Sequence, residues 1–96
     1  MTKGYIIAQA TVADAAGYEE YKRLAQAAVE RYSARYLVRG GRVEHLEGDW
    51  CPPRLVILEF DSMEQARRFY DSPEYAAARR ARQGIATMNM LAVEGV

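Results

Sequence analysis

Arg39 and Glu59 are opposite charges set inside two runs of strand formers, RYLVRGG (Arg35 to Gly41) and RLVILEF (Arg54 to Phe60). A turn near Asp49–Pro53 makes these runs a hairpin. Arg39 and Glu59 stand ten positions either side of Asp49, so they are expected nearly opposite one another. Both then share a parity set with Leu37, Leu55 and Ile57, on an apolar sheet face. A charge on such a face is costly unless it is paired. A structural salt bridge meets that requirement. So does a polar anchor in an otherwise apolar pocket, the usual make-up of a small-molecule site. In a pocket, Glu59 becomes a general base if burial raises its pKa.

His45 is the one histidine in the chain. Its ordinary pKa near 6.5 suits acid–base work, although a lone histidine late in a strand is more often structural. Tyr18 and Tyr21 fall on one helical face and are expected to pack on a sheet. Tyr70 and Tyr75 can do the same from a second helical region, with Arg82 as a partner for the Tyr75 hydroxyl. Buried hydroxyls need such partners. Glu59 and His45 are thus the catalytic candidates. Arg39, Tyr18, Tyr21, Tyr70, Tyr75 and Arg82 are the ligand-binding ones.

Other chemistries find little support. Cys51 has no second cysteine for a disulfide or a CxxC pair, and no base beside it. There is no HExxH, no GxGxxG and no P-loop; Gly40-Gly41 lacks the Lys-Ser/Thr that a phosphate loop requires. No metal site or cofactor is expected. Thirteen basic and thirteen acidic residues cancel, which argues against a dedicated nucleic-acid or anionic-membrane partner. Arg67, Arg68, Arg79, Arg80 and Arg82 read best as a solvated face. An RNA-binding sheet would need stacking aromatics on its central strands, and RLVILEF supplies a single one. The apolar run near the N-terminus is too short for a signal peptide, and no run reaches the ~20 residues of a membrane helix. A single cytoplasmic domain over residues 1–96 is expected.

These side chains must be positioned by a small set of elements. Tyr5 to Val12 reads as a strand with two different faces. Asp14 is placed to cap a helix carrying Tyr18, Tyr21, Leu24, Ala25, Ala28, Val29 and Tyr32 at steps of three, four and seven. Ala34 to Leu46 returns to strand character. Gly40-Gly41 makes either a two-residue hairpin or, the preferred reading, a bend or bulge in one long strand. The choice decides whether His45 shares a face with Arg39. Glu47 to Pro53 is a turn, and Arg54 to Phe60 the third strand. Ser62 and Gln65 form a capping box for a helix carrying Ala66, Phe69 and Tyr70. Ser72-Pro73 starts another that runs to Gly84. Met88 to Glu94 closes as a strand.

The order βαββαβ points to an α+β, ferredoxin-like fold: a four-stranded antiparallel sheet, order 4-1-3-2, with helices on one face. Ile6, Ala8, Ala10 and Val12 form one parity set of the first strand, Tyr5, Ile7, Gln9 and Thr11 the other. In the third strand Val56, Leu58 and Phe60 oppose Leu55, Ile57 and Glu59. Both faces are substantially apolar, whereas a wet face should alternate more cleanly. On the order of eight apolar side chains on the uncovered face, at roughly 1.5–3 kcal/mol each, outweigh an association cost of about 4–15 kcal/mol. A homodimer packed through sheet faces is expected.

RYLVRGG, LEGDW (Leu46 to Trp50), RLVILEFDS (Arg54 to Ser62), FYDSPEY (Phe69 to Tyr75) and VEG (Val93 to Gly95) come in an order and spacing that resemble domain-of-unknown-function family 1330, of the dimeric α+β barrel superfamily. The resemblance covers nearly the whole chain. It implies a ferredoxin-like protomer and a face-to-face dimer, and it supplies no reaction. The superfamily includes cofactor-free monooxygenases, isomerases, a haem-degrading group and ligand-sensing regulators, so no one activity transfers with the fold. The absence of a second histidine weakens any haem or metal analogy. Two functions remain open: a cofactor-free enzyme acting on a small organic molecule between sheet and helices, or a non-catalytic ligand-binding or dimerisation module.

Overall fold

The computed structural model describes residues 2–96. Its elements are β1 (Gly4–Val12), α1 (Ala15–Arg31), β2 (Arg35–Arg39), β3 (Leu55–Phe60), α2 (Met63–Asp71), α3 (Pro73–Ala81) and β4 (Ala86–Glu94). The strands form one antiparallel sheet in the order β2-β3-β1-β4, the ferredoxin-like arrangement. With helices on one side only, the molecule is a plate measuring 37 × 35 × 16 Å.

Local signals set the helices. The Asp14 side chain accepts from the Gly17 N–H and starts α1, and Ser62 accepts from the Gln65 N–H and starts α2. Ser72 serves two helices. Its hydroxyl donates to the Phe69 carbonyl at the end of α2 and accepts from the Tyr75 N–H at the start of α3. Pro73, at the first turn of α3, has no N–H to leave unpaired. Each cap satisfies a backbone donor that the helix itself cannot.

Ile6, Ala8 and Ala10 of β1 and Leu58 and Phe60 of β3 face the helices and are buried. Ala25 and Ala28 of α1 and Ala78 of α3 are buried where these two helices pack. Phe69 is the hub of an aromatic cluster, with ring centroids 4.8 Å from Tyr75, 5.3 Å from Phe60 and 6.4 Å from Tyr32. The opposite face is left open, with Leu91 57% and Val93 43% exposed.

Two expectations are corrected in β2. The strand stops at Arg39 instead of running to Leu46, and residues 40–54 are neither a long bent strand nor a two-residue hairpin. Gly40 adopts φ +71°, in the left-handed region that favours glycine, and its N–H makes a last bond to the Leu55 carbonyl. If the pairing were continued from Arg39↔Val56, it would set Arg42 and Val43 against Pro53 and Pro52. Neither proline has an N–H to offer a ladder.

The bulge also lies elsewhere. Tyr36 pairs with Leu58 and Val38 with Ile57, so the register shifts at Leu37. Side chains alternate faces along a strand, and one extra residue reverses the assignment of everything after it. Tyr36 and Arg39 therefore lie on the helix side, with Leu58 and Val56. Glu59 stays on the open side, opposite Arg35. The expected Arg39–Glu59 pair does not form.

Truncating Phe69 to alanine removes the hub of this core. Phe69→Ala should lower the unfolding free energy by about 3–5 kcal/mol, read as a reduced midpoint in urea with an unchanged slope.

Candidate functional site

Between the covered face of the sheet, α1 and α3 lies an apolar cavity of about 40 Å³. The strand period points Ala8, Val56 and Leu58 into it, together with Met88 and Met90 of β4. Tyr18, Tyr21 and Ala25 of α1 and Tyr75 of α3 close it from the helix side. Alanines at positions 8 and 25 leave the space that larger residues would fill.

The floor of the cavity is a pair of phenols. The Tyr21 and Tyr75 hydroxyl oxygens are 2.6 Å apart, with Met88 Sδ 3.6 Å from the first and Met90 Sδ 3.5 Å from the second. Tyr18 stacks on Tyr21 at 5.1 Å, and Tyr75 meets Tyr21 edge-on at 6.3 Å. Burial pushes the Tyr21 hydroxyl pKa far up, and its neighbour Tyr75 adds to the rise. Burial also raises Tyr75, opposed by the hydrogen bond with Tyr21 and by the charge of Arg82. Both hydroxyls thus keep their protons; either can donate in the bond between them, and the one that accepts is left with a proton to offer elsewhere. Arg82, the C-cap of α3, holds its guanidinium 5.6 Å from the Tyr21 ring centroid.

The mouth is cationic. Arg39, brought to this side by the bulge, lies over the Tyr36 ring at 4.4 Å. Arg54, just before β3, lies 6.0 Å from the Tyr18 ring centroid. Desolvation raises the Tyr36 pKa, and the charges of both Arg39 and Arg54 lower it. Lys22 completes the lining, 2.8 Å from Glu19. No carboxylate lines the cavity. Among the described residues neither Arg39, Arg54 nor Arg82 has an ion-pair partner. The Arg54 Nε is buried without a hydrogen-bond acceptor.

Of the residues singled out in the sequence, Arg39, Tyr18, Tyr21 and Tyr75 line this cavity, and Arg82 stands beside it. Tyr70 packs on Tyr75 at 5.7 Å but lines a separate hollow between α2 and β4, with Arg79 over its ring at 4.6 Å. Glu59 and His45 are elsewhere. Glu59 accepts from Arg35 Nε at 2.9 Å and from the Tyr5 hydroxyl at 3.0 Å on the open face. These bonds hold its carboxyl below the usual range, the reverse of the shift a buried general base needs. His45 sits in the exposed segment 40–51, against the Gly48 carbonyl. Arg54, Tyr36, Met88 and Met90 were not anticipated. Parity could have found Arg54, which lies two residues from Val56 and four from Leu58.

Among the described residues no three His, Cys, Asp or Glu side chains are grouped to hold a metal, and no helix is long and apolar enough to cross a membrane. The family model described as Domain of unknown function (DUF1330) matches residues 3–96. A protein of unknown function from Rhodopseudomonas palustris is similar in structure, with 17% identity and TM-score 0.76 over 99% of this chain and 83% of the other. SnoaB, a cofactor-independent oxygenase from Streptomyces nogalater, superposes with TM-score 0.66 and 16% identity over 97% and 92% of the two chains. A dimeric protein of unknown function and ferredoxin-like fold from Bacteroides fragilis NCTC 9343 gives 0.64 and 12% over 96% and 95%. No curated protein sequence matches the chain. At these identities the likeness to solved structures is one of fold.

Glu59 offers a direct check of the open face. Its depressed pKa means that its pairing adds stability above the ordinary glutamate value of about 4.3, and that this contribution is lost as pH falls through the lower folded-state value. Arg35→Met should raise the Glu59 pKa in an NMR titration and flatten the acid limb of the stability curve. An unmoved Glu59 titration would contradict the pairing.

Proposed function

The chain belongs to the DUF1330 family, and from that premise we propose that it binds a small, largely apolar organic molecule in the cavity between sheet and helices and promotes its reaction there by hydrogen-bond polarisation, without a cofactor. The observation that carries this reading is the hydroxyl pair on the cavity floor, Tyr21 and Tyr75 at 2.6 Å, with methionine sulfurs as its nearby partners. A pair held neutral by burial donates; it does not abstract. Tyr75, hydrogen-bonded to Tyr21, can donate a hydrogen bond that polarises an oxygen of a molecule seated above it. Tyr18 and the two methionines supply the apolar contact, and Arg39 and Arg82 the polar limits. SnoaB is named a cofactor-independent oxygenase, which supports the view that this architecture can host chemistry carried by substrate and side chains alone. Glu59 and His45 have no part in this reading because neither reaches the cavity.

A second reading is a non-catalytic ligand-binding module. The neutral state of both hydroxyls favours it, since no group lining the cavity is poised as a base.

The protomer acts as a homodimer joined through the open sheet face. Leu91 and Val93, with Ile7 and Ile57 on neighbouring strands, give that face an apolar character that water covers poorly. Solved structures of similar fold are described as dimeric. The single, exposed, unpaired Cys51 fits a reducing, cytoplasmic location.

Two measurements test these statements. Native mass spectrometry of the purified protein should retain a small organic molecule, and Tyr75→Phe should still bind it while any turnover falls by about 10²-fold or more, the range for losing one hydrogen-bond donor to a developing oxyanion. Unchanged turnover would leave only the binding module. Light scattering at micromolar concentration should give twice the chain mass of 10.8 kDa, and Leu91→Asp should give the monomer. A wild-type monomer would overturn the dimer.

A further inference from the structure

Three arginines border one apolar cavity in a chain whose formal charges sum to zero. Many of the acids pair elsewhere. Glu59 and Asp61 hold Arg35 on the open face, Glu20 holds Arg23 on α1, and Glu64 and Asp71 hold Arg68 and Arg67 on α2. Arg39, over the Tyr36 ring, and Arg54, beside the Tyr18 ring, line the same cavity. Arg54 presents a buried Nε with no acceptor. A buried guanidinium N–H without an acceptor is unfavourable, and a carboxylate supplies what is missing, through paired charge-assisted hydrogen bonds.

We infer that the ligand of this cavity is a small monoanionic organic acid whose carboxylate binds Arg39 and Arg54 at the mouth and whose apolar body points inward to Met88, Met90 and the tyrosine pair. This rests on the cavity being a ligand site, as proposed above, and adds the chemical class and the orientation. The enclosed space limits size. A buried water needs roughly 10–15 Å³, so about 40 Å³ takes a body of a few carbon atoms. The flexible methionines can yield to a single ring. Orientation follows from the two ends. The anion is held at the cationic mouth, and the remaining functional group lies toward Tyr75.

Gly40 is part of the device. A Cβ there would collide with Arg54 Nη1, and at φ +71° any other residue is also strained. The glycine leaves the space in which the Arg54 head sits against the end of β2. Gly40→Ala therefore displaces a charge without removing one.

The test is an NMR titration of methyl-labelled protein, following the Met88 and Met90 methyl resonances. The probes are butyrate and benzoate against their neutral amides, butyramide and benzamide. Both acids should shift both methyls. The amides should bind at least about tenfold more weakly, the factor expected for losing one hydrogen bond to a charged group. Arg39→Met/Arg54→Met should lose the acids by the same factor or more, and Gly40→Ala should weaken them severalfold with all charges present. Equal binding of acids and amides overturns the anion inference and leaves the cavity reading standing. If none of the four probes moves a methyl, the cavity reading falls and the inference with it. If the double variant keeps its circular dichroism but loses the dimer by light scattering, the arginines serve an interface between copies and the inference is overturned.

Discussion

A β-strand sends successive side chains to opposite faces, and one extra residue at Leu37 reverses that order for the rest of β2. The site depends on this shift. Without it, Arg39 would share the open face with Arg35 and Glu59, and the cavity mouth would lose a cation. With it, Tyr36 and Arg39 face the helices together, close enough for the guanidinium to lie over the ring. A bulge of this kind commonly re-aims a side chain beside a functional site. The glycine that follows ends the strand and leaves room for the second arginine.

The same two-sidedness sorts the charges. Helix surfaces take up acids and bases at spacings of three and four, as in Glu20 with Arg23 and Glu64 with Arg68. Such exposed pairs contribute little to stability. Their consequence here is distributive. They occupy several of the carboxylates, and among the described residues none lines the apolar hollow that Arg39, Arg54 and Arg82 border. Net charge, summed over the chain, hides this separation completely.

Much of the fold was legible because its signals are local. Ser62 with Gln65, and Ser72 before Pro73, mark helix starts that backbone donors require. The parity of Ile6, Ala8 and Ala10 and of Leu58 and Phe60 names the covered face, since both sets are buried. The βαββαβ order then limits the topology. The site was only half legible, for a physical reason. Opposing Arg39 to Glu59 assumed a tight, symmetric turn and an unbroken period of two. The connection over residues 40–54 is neither tight nor symmetric, and the bulge at Leu37 carries no glycine or proline to announce it. The conspicuous Gly40-Gly41 drew the bulge to the wrong place. Pro52 and Pro53, read only as a turn, also decide where β2 must stop.

The two polar ends of the cavity are electrically distinct. The charges of Arg39 and Arg54 act on Tyr36 at the mouth, whereas the cation that acts on Tyr75 at the floor is Arg82. An anion seated on the mouth arginines neutralises them and leaves Arg82 in place. The charge that restrains the rise of the Tyr75 pKa therefore survives ligand binding. Affinity and proton placement can then be tuned by different residues in a protein of 96 residues. That separation is what a small site needs if it is to hold a charged molecule firmly and still present a neutral hydroxyl to its far end.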